Sequence, residues 1–271
     1  MIRRSWWVAG GAGAFAVLAL VTVQAQTVRV DLSKETAGKT PATFEPMMGT
    51  WVIAEDGGEK VVKVDGAAYR ATLDPAARNL IDTARKFYGT SNEELMDNAK
   101  QFAVFPVAVL RGVESFSNGS LSLKFKTVAG NSDRASGILF NVKPNGDWLS
   151  VRYNDTEHNI ALWEFHNGVR RRIVGGRGQV LADPADREKW HELTLTVTEG
   201  KNLKTTLDGA TVLEYVLGTE PGPGRNGAPP NPDLFPANNP VLRPPVAGKV
   251  GLWSKSDSTS YFKDYIVTHQ K

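Results

Sequence analysis

The 271-residue sequence contains no cysteine. That excludes disulfide staples, zinc ribbons, thiol nucleophiles and a cysteine-linked lipid anchor together. Charge of one sign is also scarce. Lys and Arg number 32 against 29 Asp and Glu, with no long acidic or basic run, so the basic stripe of a nucleic-acid binder is missing and no nucleic-acid partner is expected. Past residue 25 no apolar run approaches the roughly 20 residues that cross a bilayer. Two catalytic patterns are missing as well. No Gly-x-Ser-x-Gly elbow occurs, nor does Glu-x-Asp-x-x-Glu, which would set alternate carboxylates on one strand face for glycoside cleavage.

What is present begins with an address. Residues 1–25 combine Arg3 and Arg4, an apolar run from Trp6 to Val23, and the small-residue site Val23-Gln24-Ala25. This is the pattern of a signal peptide cleaved before Gln26. The alternative is a retained anchor, because the run is just long enough to span a membrane. Cleavage removes two of the three net positive charges, leaving +1. The expected product is periplasmic or secreted, of bacterial origin, with no membrane contact once the signal is removed, and residues 26–271 are expected to form one domain.

Most of residues 50–70 and 103–268 alternates apolar and polar residues in short runs broken by Gly, Asn and Asp, the period-2 pattern of half-buried strands. Twelve are expected: Trp51–Glu55, Lys60–Val64, Ser120–Val128, Ser136–Lys143, Asp147–Asn154, Asn159–His166, Val169–Val174, His191–Thr198, Asn202–Leu207, Thr211–Val216, Lys249–Ser254 and Ser260–Thr268. So many strands with so little helix indicate an all-β sandwich or barrel. One helical insertion interrupts them over about 74–100. It opens on Asp74-Pro75, carries Leu80, Ile81, Ala84, Phe87 and Tyr88 on one stripe, and restarts at the capping-box pair Ser91 and Glu94. Residues 218–248 hold nine of the fifteen prolines. This stretch reads as a long surface loop anchored by Leu234 and Phe235, either rimming a binding site or covering a sheet edge.

The segment from Trp148 to Phe165 carries the most chemical information. If Asn154 lies opposite Asn159, an antiparallel hairpin places Arg152 opposite Ala161, Ser150 opposite Trp163 and Trp148 opposite Phe165, all on one face. Leu149, Val151, Tyr153, Ile160 and Leu162 then form the core face. Flat aromatics interleaved with Arg and Asn suit sugars, whose C–H faces stack on indoles while their hydroxyls bond to amide and guanidinium groups. The competing reading makes Trp148, Trp163 and Phe165 a second buried layer. A one-residue slip would swap the faces of one strand.

Candidates for acid–base chemistry are Glu157, His158 and Glu164, although Glu157 and Glu164 lie at opposite ends of one strand. His158 and His166 are about 26 Å apart at ~3.3 Å per residue and cannot share a metal ion; no metal site is expected. His191 shares a face with Leu193, Leu195 and Val197 and reads as a satisfied core-edge histidine. Arg170-Arg171-Arg172 reads as a solvated strand edge.

Three blocks carry a resemblance: Ala135 to Arg172, Trp190 to Thr198, and Gly248 to Thr268 with its Gly-Lys-Val-Gly-Leu-Trp-Ser-Lys-Ser-Asp-Ser run followed by Tyr261-Phe262. In this order the chain resembles concanavalin A-like lectin and glucanase domains. Among these it is similar to bacterial exported 3-keto-disaccharide hydrolase domains. The resemblance implies a jelly-roll β-sandwich of two antiparallel sheets, with ligand on the concave sheet or its rim. Related domains sometimes hold a structural calcium, for which Asp257 and Asp264 are available; no other cofactor is implied. The combined expectation is an exported carbohydrate-binding domain using Trp148, Arg152, Asn154, Asn159 and Trp163, with Lys255 and Asp257 at the rim. The alternatives are a glycoside or 3-keto-disaccharide hydrolase acting through the rim carboxylates or His158, and a non-catalytic protein-interaction module of the cell envelope.

Overall fold

In Gly119–Ala129 the inward positions Leu121, Leu123 and Phe125 are fully buried while Ser122, Lys124 and Lys126 between them are partly exposed. Alternation of this kind makes one face of a strand apolar and lets two sheets close over a shared core. A computed structural model describes residues 25–68, 105–131, 133–176, 188–222, 227–255 and 257–270. The expected signal segment up to residue 24 and the helical pair expected within 74–100 lie outside them. Among the described residues no helix is long and apolar enough to cross a membrane.

Among the described residues fifteen strands form two antiparallel sheets. The eight-stranded sheet runs β13(Ala210–Val216), β12(Asn202–Leu207), β11(His191–Thr198), β6(Gly119–Ala129), β15(Thr259–Gln270), β4(Glu59–Asp65), β3(Trp51–Asp56), and β1(Ala25–Arg29) also pairs with β15. The seven-stranded sheet runs β10(Val169–Gly175), β9(Asn159–His166), β8(Trp148–Asn154), β7(Ala135–Val142), β14(Lys249–Ser254), β5(Val107–Leu110), β2(Phe44–Met48). The architecture is the jelly-roll sandwich implied by the resemblance. All twelve expected strands form. The remaining three, β1, β2 and β5, escape the period-2 pattern: β2 contains Pro46, and all four residues of β5 are buried.

Between the sheets lies one apolar cluster that includes Leu121, Leu123 and Phe125 from one side and Ile138, Leu149, Val151, Tyr153 and Leu162 from the other. The seven-stranded sheet departs from simple alternation. Every residue of β7 and β8 is buried, so these two central strands are covered on both faces, whereas β10 at the sheet edge is mostly only partly buried and strands of the other sheet keep a wet side.

The proline-rich segment belongs to the core. Short 3₁₀ turns at Pro232–Leu234 and Pro240–Leu242, each capped by an Asn side chain, turn Leu234, Val241 and Leu242 inward, and Val246 follows them. Asn141 ties the segment down by donating to the Val241 carbonyl at 3.0 Å and accepting from the Ala247 N–H at 2.9 Å. Val246 N–H also reaches the Gly200 carbonyl of the other sheet at 2.7 Å. The segment thus plugs one end of the sandwich. Expected as a surface loop at a binding-site rim or over a sheet edge, the segment instead packs into the core, with Leu234 as an anchor.

If the plug is core, Leu242→Ala lowers the unfolding free energy by about 2–5 kcal/mol. Val216→Ala, at an exposed position of edge strand β13, changes it by no more than about 0.5 kcal/mol. Urea unfolding of the two variants checks this, and equal effects would show that the plug is dispensable.

Candidate functional site

The site is built on three strands. Trp148 pairs with Phe165, Ser150 with Trp163, Arg152 with Ala161 and Asn154 with Asn159, which is the register expected from the sequence. The next turn is Asn167-Gly168, with φ of 49° and 77°. This is the left-handed pair that a two-residue hairpin demands and that Asn-Gly supplies at low cost. Asp147 secures it, accepting the Asn167 N–H at 3.1 Å and contacting His166 Nδ1 at 2.7 Å. The turn sets Val169 opposite His166, Arg170 opposite Phe165 and Arg172 opposite Trp163. Pairing of β7 and β14 then adds Gly137, Leu139 and Trp253 to the same outer face.

On that face aromatic rings and guanidinium groups interleave. Trp148 and Phe165 stack at 4.9 Å with a 6° interplanar angle, and Phe105 stands edge-on to both while lying on Trp253 at 6.0 Å. The Arg170 guanidinium lies 3.6 Å above the Trp163 ring and 4.9 Å from both Phe105 and Trp253. Arg152 approaches Trp163 at 5.3 Å. Contacts of cations with ring faces offset part of the cost of taking the cations out of water. The offset is incomplete here. Trp148 Nε1, Trp163 Nε1, Trp253 Nε1, Ser150 Oγ, Arg152 Nε, and Arg170 Nε and Nη2 are all buried without a hydrogen-bond partner among the described residues. Groups of this kind are normally satisfied in a folded protein.

Toward the Asn154–Asn159 turn the face becomes polar. Arg152 Nη2 donates to Glu157 at 2.9 Å and to Asn159 at 3.1 Å, and Asn159 Nδ2 donates to the same Glu157 oxygen at 3.1 Å. Burial opposes ionisation of Glu157. The adjoining Arg152 cation and these hydrogen bonds outweigh it and hold the carboxyl below the usual glutamate range. Beside this triangle, Asp133 accepts from Asn154 Nδ2 and Lys255 Nζ, each at 3.0 Å. Burial acts most strongly on Arg170, Arg152 adds repulsion, and the proton affinity of the group falls well below that of an ordinary arginine. A guanidinium starts from so high a value that it stays charged; the shift registers a cation short of counter-charge.

The structure therefore brings together Trp148, Arg152, Asn154, Asn159, Trp163 and Glu157 on or beside one face, with Lys255 joined to it through Asp133. It places other candidates elsewhere. Trp148 is fully buried, with Phe165 on its ring and Phe105 against it, so Trp163, only partly buried, is the indole placed nearer solvent. Asp257 is a turn residue whose carboxylate accepts the backbone N–H groups of Asn131 and Asp133 at 2.8 and 3.2 Å. Asp264 pairs with Lys124 at 2.8 Å. No three His, Asp or Glu side chains converge on a metal-sized site among the described residues. His158 sits in the turn with φ 49°. His191 contacts Asp208 at 2.7 Å beneath Phe125, as expected of a core-edge histidine.

Two expectations need correction. Arg170-Arg171-Arg172 is not a solvated edge, because alternation sends Arg170 into the aromatic layer and Arg171 to the opposite side, where it pairs with Glu164 and Asp233. The Asn167-Gly168 turn was the sequence signal that could have placed Arg170. Glu164 is not at a rim. It is fully buried on the core side, where Asn239 of the proline-rich plug donates to it at 3.1 Å.

No protein-family model matches this chain, and no curated protein is similar to it in sequence. Solved structures are similar in fold. A carbohydrate-binding module (CBM66) from Bacillus subtilis aligns with a TM-score of 0.49 at 15% identity, covering 85% of this chain and 96% of that one. A protein of unknown function with a galectin-like fold from Bacillus subtilis gives 0.46 at 12%, covering 84% and 89%. A β-glucanase from Bacillus licheniformis gives 0.41 at 9%, covering 90% and 92%. These are likenesses of fold and carry no activity to this chain.

Burial raises the Glu164 carboxyl to about 7 against the opposing pull of Asn239 and Arg171. Between the unfolded value near 4.5 and about 7 the native state keeps a proton that the unfolded chain has lost, so this group makes stability fall as pH rises through that window. Burial also disfavours the His166 cation, yet its contact with Asp147 raises its pKa overall, adding a loss of the same sign above about 6.5. In Glu164→Gln the pH 5 to pH 7.5 drop in unfolding free energy should shrink relative to the parent protein. An unchanged drop would mean that Glu164 is ionised throughout.

Proposed function

We propose that this protein is an exported carbohydrate-binding domain that engages saccharide on the outer face of its seven-stranded sheet. The observation that carries the reading is the layer of rings and guanidinium groups whose N–H donors lack acceptors among the described residues. Sugar hydroxyls are acceptors of the right kind, and the flat faces of the ring layer suit the C–H faces of pyranoses. In this reading Trp163 stacks, Arg152, Asn154 and Asn159 position hydroxyls around the Glu157 carboxylate, and Lys255 borders the site. Trp148 and Phe165 support the layer from within. Export rests on the signal pattern of residues 1–25.

The carboxylates favour binding over hydrolysis. Glu157, held ionised by Arg152, suits accepting hydrogen bonds and lacks the raised pKa of a general acid. Glu164 has such a pKa but is sealed beneath the plug.

The test is incubation of the purified protein with plant, bacterial and keto-modified saccharides, with and without calcium, following ligand depletion and product appearance in one chromatographic run. Depletion without products is expected, and Trp163→Ala should weaken retention about 10-fold or more, as loss of a buried aromatic contact does. New products that vanish in Glu157→Gln would replace the binding reading with a hydrolase. Absence of both signals would leave a protein partner for this face.

A further inference from the structure

Among the unpartnered donors, those of Arg170 have a shape. Nε–H and Nη2–H lie on one edge of the guanidinium and point the same way, the fork that receives both oxygens of a carboxylate. Both atoms are buried and both lack a partner among the described residues. The ring contacts from Trp163, Phe105 and Trp253 fix the guanidinium plane, so the direction of the fork is fixed too. Arg152 on the same face is almost fully buried and leaves its own Nε–H free of partners.

The charges around the fork are unbalanced. Arg152, Arg170 and Arg172 share the outer face, and Lys255 adjoins it. The carboxylates acting on this group are Asp133 and Glu157. Both are already engaged: Asp133 takes Lys255 and Asn154, and Glu157 takes Arg152 and Asn159. Among the described residues, four cations against two anions leave an excess of two positive charges. A buried cation without a counter-ion is costly, and an added anion with matched hydrogen bonds removes that cost. A neutral sugar hydroxyl satisfies one donor and leaves the charge.

We propose that the saccharide taken by this face is acidic, a uronate whose carboxylate seats bidentately on the Nε/Nη2 edge of Arg170, with Arg152 alongside. The inference rests on the carbohydrate-binding reading above and narrows its ligand class. The rest of the sugar then lies along Trp163, whose indole the same guanidinium covers, so acid group and ring plane are read by adjoining elements. A sulfate or phosphate ester carries the charge too, but its tetrahedral oxygens match a planar two-donor edge less closely than a carboxylate does.

The experiment is calorimetric titration of the purified full-length mature protein with uronate oligosaccharides, oligogalacturonate and oligoglucuronate. The same oligomers with each carboxyl reduced to an alcohol serve as neutral controls, and a sulfated galactan oligomer serves as the second anion. The uronate should bind about 10- to 100-fold more tightly than its reduced counterpart, the range of a charged hydrogen-bonded pair. Arg170→Lys, which keeps the charge and loses the fork, should remove that preference while the variant still unfolds cooperatively. Should Arg170→Lys fail to fold, the comparison of acid with reduced oligomer on the parent protein decides alone. Equal affinity for acid and reduced oligomers overturns this inference and leaves the carbohydrate-binding reading standing. Tighter binding of the sulfated oligomer overturns the carboxylate assignment. No binding to any saccharide, here or in the wider panel, overturns both readings.

Discussion

Asn154 faces Asn159 and Val169 faces His166. Those two closures decide which side chains of three strands meet the inter-sheet core and which meet the outer layer. Leu149, Val151, Tyr153, Ile160 and Leu162 go one way; Trp148, Ser150, Arg152, Trp163, Phe165 and Arg170 go the other. Because side chains alternate with a period of two, a slip by one residue would drive guanidinium groups into the aliphatic core. The register is therefore held by the unequal cost of the alternatives as well as by the turns. The aliphatic face alone would fix it, which leaves the other face available to carry polar groups that contribute little to stability.

The run Arg170-Arg171-Arg172 shows what this segregation does with three identical residues. Arg170 lies flat among rings, where delocalised charge and weak hydration make a guanidinium the cation best suited to such a place. Arg171, one residue on, points to the other side and joins Glu164 of β9 to Asp233 of the plug. It fastens the proline-rich segment to the sheet, and with Asn239 it seals Glu164. Arg172 returns to the outer face opposite Trp163. One strand thus supplies both a stabilising tie at the end of the sandwich and the cations of the candidate site.

Much of this was legible in the sequence, for identifiable reasons. Alternation exposed twelve strands because polar residues recur between apolar ones, even in β7 and β8, where Ser136, Ser150 and Arg152 are buried too. It could not expose β5, whose four residues are all apolar, or β2, where Pro46 breaks the pattern. The hairpin register followed from matching apolar residues across a polar turn. What sequence left open was the cover. Whether Trp148 faces ligand or other rings depends on Phe105, whose approach from a distant part of the chain leaves no local periodic trace. The role of Arg170 was hidden by its neighbours, since a run of like charges suggests a solvated edge unless the Asn-Gly turn before it is used to set register. Glu164 was misplaced because its seal comes from Asn239, 75 residues away.

The two ends of the site also differ in how they hold charge, and the difference limits what chemistry the face can perform. Around the Asn154–Asn159 turn two carboxylates each have two partners within 3.1 Å: Glu157 has Arg152 and Asn159, and Asp133 has Lys255 and Asn154. Groups matched this closely are preorganised and resist changing protonation, which suits recognition more than proton transfer. Deeper along the face the partners are rings, which attract a cation but accept no hydrogen bond in the plane of its N–H groups. The aromatic layer thus fixes the orientation of Arg170 and Arg152 without satisfying their donors. A site so arranged has its rigidity before a ligand arrives, so the ligand need supply only acceptors, and little of its binding energy is lost to ordering the protein.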